Sequence, residues 1–144
     1  MNVIIKKESL NDEIFNFLID ESFYLCCKVK NINEDNIDIM IKLKQKLKKL
    51  YLVELIDNKI YTAYLNDELV GVSCINNQNH LSDLFVRKEY QNNGIGSMLL
   101  KQVIEDNNQY GDITLNANKE YLNFYKENNF KIIEETEDSI RMKL

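Results

Sequence analysis

The run Leu84-Phe85-Val86-Arg87-Lys88-Glu89-Tyr90-Gln91-Asn92-Asn93-Gly94-Ile95-Gly96-Ser97 restricts the fold of this chain more than any other segment. An apolar, strand-like triplet enters a polar loop, and two glycines then open an amphipathic segment. The first turn of a helix leaves backbone N–H groups without intrahelical partners, and the aligned peptide dipoles make them partly positive. Glycine removes the Cβ that would hold a diphosphate away from those groups. The pattern describes an anion site built from main chain, and it equally describes a tight strand–helix junction without a ligand. Two other cradles are excluded. No Gly-Lys-Ser/Thr follows, so this is not a P-loop. The third glycine and the downstream ribose-binding acid of the dinucleotide fingerprint are also missing.

The surrounding pattern supplies the scaffold. From Ile60 the apolar period is two: Ile60–Leu65 and Leu69–Ile75 are strands joined by an Asn66-Asp67 turn, and His80–Val86 follows an Asn76–Asn79 turn. Gly94 to about Asn107 is a helix with Ile95, Met98, Leu99 and Ile104 inward. Asp112–Leu115 reads as a strand, Asn118–Asn128 as a helix, and Phe130–Ile133 with Ser139–Met142 as a closing hairpin. Upstream, Val3–Lys6 starts a strand, and Ser9 or Asn11 caps a helix carrying Ile14, Phe17, Leu18 and Leu25. Asn33 to about Leu50 is a second helix, with Ile37, Met40, Leu43, Leu47 and Leu50 as its apolar stripe. Its lysines, Lys42, Lys46 and Lys49 with Lys44 and Lys48 beside them, form either a solvated face or a docking edge for an acidic substrate. This order predicts an α/β (α+β) fold, a mixed and mostly antiparallel sheet of about six to seven strands flanked by about four helices.

Composition bounds the rest. At 144 residues and 44% hydrophobic content, with no repeat or linker, residues 1–144 read as a single domain. A domain of this length buries roughly 68–70% of its unfolded surface and needs no staples. Cys26, Cys27 and Cys74 lack metal-ligand spacing and are odd in number, which suits reduced thiols in a cytoplasmic protein. No apolar run reaches the roughly 20 residues that span a bilayer. The net charge of −5 argues against a nucleic-acid partner, which needs a basic surface to displace counterions.

Two motifs sharpen this picture. Gln91-x-x-Gly94-x-Gly96 resembles the Q/R-x-x-G-x-G/A signature of the GCN5-related N-acetyltransferases, with Leu84-Phe85-Val86 and Tyr90 standing where that family has similar residues. Asn118-x-x-Tyr121-x-x-Phe124-Tyr125-x-x-x-Asn129-Phe130 resembles the family's N-x-x-A-x-x-L-Y-x-x-x-G-F. The resemblance covers Tyr64 to Phe130 and fades over the first fifty residues, where acceptor specificity usually resides. It implies acetyl-CoA as cofactor, contacted by Leu84, Phe85, Val86, Gln91, Asn92, Asn93, Gly94, Ile95, Gly96, Ser97, Asn118 and Tyr125. It also implies a Leu84 amide that binds the thioester oxygen and a Tyr125 phenol that acts as general acid, unless Tyr125 only packs beside Phe124. Tyr121 departs from a small residue. Asn129 departs from glycine, which asparagine can replace because it tolerates the left-handed conformation.

The chemistry sets further demands. A free alkyl amine has a pKa near 10, so well under about 1% is nucleophilic at neutral pH and a base or water relay must take its proton. Strand alternation places His80, Ser82 and Leu84 on one face and Leu81, Asp83 and Phe85 on the other. His80 is the candidate base: several family members place a carboxylate there, and imidazole titrates near 6.5. Asp83 serves only if a bulge re-aims it, and a water relay is the third option. No cysteine has a base partner, so direct transfer in a ternary complex is expected. The expected acceptor is a small-molecule or peptide amine, with no nucleic-acid or membrane partner, no metal, and homodimerisation left open. The rival is a catalytically silent CoA-binding sensor or partner-binding module.

Overall fold

In the computed structural model, which describes residues 2–144, Asn11 rather than Ser9 caps the first helix. Its side chain accepts the Ile14 N–H at 2.8 Å, satisfying one of the donors that a helix start leaves open. Helix α1 then runs Asp12–Val29 and buries Ile14, Phe17, Leu18 and Ile19. A short 3-10 turn at Glu34–Asn36, boxed by Asn33, leads into α2, Ile37–Glu54.

The inward stripe of α2 differs from the expected one. Leu47 and Tyr51 are buried, Leu55 follows just past the helix end, and Met40 and Leu43 are half-buried. Ile37 and Leu50 are instead 63% and 46% exposed. The helix extends one turn beyond Leu50 and is rotated to bury Tyr51, about 100° around the axis from Leu50. Most of the lysines are exposed, while Lys44 pairs with Asp20 at 3.5 Å and lies over the Phe23 ring, tying α2 to α1.

Seven strands form one sheet in the order β1-β2-β3-β4-β5-β7-β6. β1 (Val3–Glu8), β2 (Lys59–Leu65), β3 (Glu68–Ile75) and β4 (His80–Val86) make an antiparallel meander. β5 (Thr114–Ala117) joins β4 in parallel and lies two residues later than expected. β6 (Lys131–Glu135) and β7 (Ile140–Lys143) form the closing hairpin, with β7 next to β5. Helix α3 spans Ile95–Asn107. The expected helix over 118–128 is split into a 3-10 turn, Lys119–Tyr121, and a short α4, Leu122–Glu127.

The sheet separates two apolar cores. On one side α3 packs Ile95, Leu99, Leu100 and Val103 against Val70, Leu81, Leu115 and Phe130. On the other, α1 and α2 pack against Ile60, Val72 and Cys74. A Cβ at Gly71 would come 2.8 Å from Leu99 Cδ1, so the glycine is what lets α3 lie against β3.

Candidate active site

β4 and β5 pair only at His80↔Thr114 and Leu81↔Leu115. Beyond those positions Ser82–Val86 and Asn116–Ala117 have no ladder between them, and a slot opens through the sheet. The Arg87 N–H donates to Val70 O on the β3 edge at 2.8 Å. Groups alternate along an antiparallel ladder, so Leu84 and Val86 turn their N–H and C=O away from β3 towards the slot. Gln91 Nε2 holds the Val86 carbonyl at 2.9 Å. A peptide edge without a partner strand can bind an amide-bearing ligand by its main chain.

The slot ends at the start of α3. Asn92 and Gly94 take φ of 63° and 81°, and such alternating-handed backbone turns successive N–H groups into an anion-binding concavity. No side chain caps α3, and its first helical bond is Met98 N–H to Gly94 O. The amides of Ile95, Gly96 and Ser97 therefore have no helical acceptor. Asn93 Nδ2 braces the loop on Tyr90 O and Gln91 O, both at 3.2 Å. The two glycines have different causes. Gly94 is needed for its left-handed backbone and faces open space. A Cβ at Gly96 would meet the Phe124 ring at 3.3 Å, so this glycine admits a side chain of α4, a reason the sequence did not show.

Phe124 and Tyr125 sit edge to face at 5.1 Å, and Tyr125 stands against Phe130 at 6.0 Å. Asn129 takes φ 73°, so asparagine does here what glycine would do. The Tyr125 carbonyl accepts the Phe130 N–H at 3.0 Å, fixing the ring over the α3-side core. Burial pushes the Tyr125 phenol well above its ordinary range, with Tyr121 and Asp83 adding to the shift; it holds its proton at neutral pH. Asn118 is exposed and opens the turn before α4, its carbonyl accepting the Tyr121 N–H.

The expected face of β4 is corrected. Opposite β3, Cys74 pairs with Asp83 but Ile75 with Leu81, so Ser82 is a bulge. Leu81, Leu84 and Val86 consequently share the α3 side, and His80 does not share a face with Leu84. His80 Nδ1 lies 2.8 Å from Thr114 Oγ1, and burial, then Arg141, push its pKa down. Asp83 is 8% exposed and turned to the α2 side. Tyr51 OH donates to its Oδ1 at 2.6 Å, and Ser82 Oγ to its Oδ2 at 3.1 Å. Burial raises the Asp83 pKa against the lowering effect of those two bonds.

The pattern of these elements matches known proteins. A model of the acetyltransferase (GNAT) domain matches residues 34–140. The chain belongs to this family.

The GNAT fold extends beyond the matched segment. A PaiA N-acetyltransferase from Thermoplasma acidophilum, solved with coenzyme A, superposes with a TM-score of 0.76 at 22% identity, over 99% of this chain and 98% of that one. A GCN5-related N-acetyltransferase from Rhodopseudomonas palustris gives 0.75 at 13% identity, over 99% and 95%. A GNAT acetyltransferase from Staphylococcus aureus Mu50 gives 0.66 at 21%, over 97% and 98%. No match is found among curated proteins. Within this GNAT domain, sequence reasoning missed Tyr51 and Ser82. Tyr51 carried a faint signal, standing four residues after Leu47 on the same helical face. Ser82 carried none, because nothing in the strand's alternation marks a bulge. Among the described residues no helix is long and apolar enough to cross a membrane.

Proposed function

We propose that this chain transfers the acetyl group of acetyl-CoA to a primary amine by direct attack in a ternary complex. The observation that carries the reading is the slot between β4 and β5, which leads to the uncapped start of α3. The residues present fit the cofactor. The Ile95, Gly96 and Ser97 amides and the left-handed Asn92 and Gly94 would hold its pyrophosphate, and the slot-facing edge of Leu84 and Val86 would hold its amide-bearing arm.

Acetyl-CoA, when bound, supplies an activated acetyl thioester. The protein's part is orientation and proton control. The Leu84 N–H points into the slot, where an aligned donor in a dry site is worth on the order of 3 kcal/mol to a developing oxyanion. Tyr125 keeps its proton at neutral pH and is the proposed donor to a leaving thiolate. The loop that carries Gln91 is braced on β3 and α1: Arg87 Nε donates to Leu69 O at 2.9 Å and its guanidinium stacks over Phe17.

Calorimetry with acetyl-CoA, followed by a thiol-release assay over a panel of amines, tests the reading. Binding together with amine-dependent thiol release is expected. Binding without release for any amine would make the chain a CoA-binding module, and no binding would remove the cofactor assignment.

A further inference from the structure

Of the two residues that depart from the second motif, Asn129 is explained by its left-handed backbone. Tyr121, standing where the motif has alanine, has no such local cause. The chain crosses the plane of the sheet at this residue. On one side Lys28 of α1 donates to both carboxylate oxygens of Glu120, at 3.1 and 3.3 Å. On the other, Leu122, Phe124 and Tyr125 pack against the α3-side core. The crossing lies just past the end of β5, where β4 and β5 have already parted, so Tyr121 sits on the lip of the slot.

One face of α1 meets this lip. Glu21, Tyr24 and Lys28 follow one another at three- and four-residue steps and so share that face. The groups in electrostatic reach of the Tyr121 phenol are Glu120, Lys28, Tyr24 and Glu21, and Tyr121 itself is within reach of the Tyr125 phenol. Tyr121 and Tyr24 are 36% and 53% exposed, so neither ring is spent on the core. The Lys28–Glu120 pair adds little stability, being exposed to water. Its effect is positional, since it holds the turn that carries Tyr121 against α1.

We propose that the Tyr121 ring, backed by Tyr24, narrows the slot on its α1 side and selects a primary amine carried on an unbranched methylene over an α-amino group or a ring amine. The proposal rests on the acetyl-transfer reading. In that reading the sulfur leaves beside Tyr125, on the α3 side, which a packed core fills. The amine therefore arrives from the other side of the sheet, past the lip. A nitrogen on a CH2 group passes the edge of a ring, whereas a branch at the carbon bearing the nitrogen adds bulk at the narrowest point. A steric misfit of this size changes kcat/KM by about tenfold or more.

The test compares isomeric amines across the thiol-release panel, butylamine with sec-butylamine and Nα-acetyl-lysine with Nε-acetyl-lysine among them. The wild type is expected to favour the unbranched amine of each pair about tenfold or more in kcat/KM. Tyr121→Ala should lower that ratio about tenfold by admitting the branched isomers, with acetyl-CoA affinity in calorimetry within about threefold of wild type. Tyr121→Phe should keep the ratio, because the ring and not the hydroxyl discriminates. Tyr24→Ala should shift it in the same direction by less, and carries the test if Tyr121→Ala does not fold. A wild type that turns over both isomers equally overturns the proposal alone, as does a ratio that Tyr121→Ala leaves in place. A Tyr121→Ala protein that loses only acetyl-CoA affinity also overturns it, by placing the ring against the cofactor. A wild type that binds no acetyl-CoA and releases no thiol with any amine overturns the acetyl-transfer reading, and the proposal falls with it.

Discussion

On the α3 side of the slot, the groups proposed to meet the cofactor are main chain: the amides of Ile95, Gly96 and Ser97 and the slot-facing edge of Leu84 and Val86. On the α2 side a hydrogen-bonded cluster of side chains forms, Tyr51, Ser82 and Asp83, brought together across 32 residues of sequence in the case of Tyr51 and Asp83. A main-chain site restricts residue type, because only glycine or asparagine easily accepts the left-handed turns and only glycine admits a ring against the helix start. A side-chain site restricts position in space, which many sequences can satisfy. The first kind of site therefore leaves a motif in the sequence and the second does not.

The comparison predicts that the two sides fail independently. The largest effect is expected on stability from the α2 side. Leu47, 7% exposed, should cost about 3 kcal/mol as Leu47→Ala, whereas Leu50→Ala should stay within about 0.5 kcal/mol. Urea denaturation measures both. Acetyl-CoA affinity of the folded Leu47→Ala protein should be unchanged; a parallel loss of affinity would show that the sides are coupled.

Tyr125→Phe comes next, with kcat lowered about a hundredfold and acetyl-CoA affinity nearly intact, the pattern of a contact made in the transition state. Turnover within a factor of about two would leave Tyr125 as a packing residue between Phe124 and Phe130.

Valine at the glycines should weaken acetyl-CoA binding about tenfold or more, roughly 1.4 kcal/mol, in calorimetry. The structure separates the two causes. Gly94→Val strains a backbone at φ 81°, and Gly94→Asn, which tolerates that conformation, should retain most of the affinity. Gly96→Val pushes on Phe124, so it should also disturb Tyr125 beside that ring. Unchanged affinity in both folded valine variants would end the cradle assignment.

Gln91→Ala should have the smallest effect, about two- to threefold in acetyl-CoA affinity, since its amide holds only the Val86 carbonyl while the proposed anion contacts are main chain. A larger loss would mean that side chains carry more of this face than the geometry indicates.

Much of the molecule was determined by the sequence alone. The switch from a period of 3.6 to one of two at Ile60 marked the meander, and the Gln91–Gly96 and Asn118–Phe130 motifs marked the α3 start and the α4 turn proposed to hold the cofactor, because local backbone geometry dictates local residue type. The asparagine at position 129 was readable for the same reason. Three features were decided only by tertiary structure. The rotation of α2 follows from burying Tyr51 and Leu55 rather than Leu50, a choice made by the sheet beneath the helix. The real reason for Gly96 is the Phe124 ring arriving from α4. The facing of β4 turns on a single bulge at Ser82, which moves His80 off the Leu84 face, while Asp83 keeps the face opposite Leu84 and meets Tyr51 there. A one-residue slip reverses every side chain beyond it, and its cause lies in the pairing with β3, which no local pattern records.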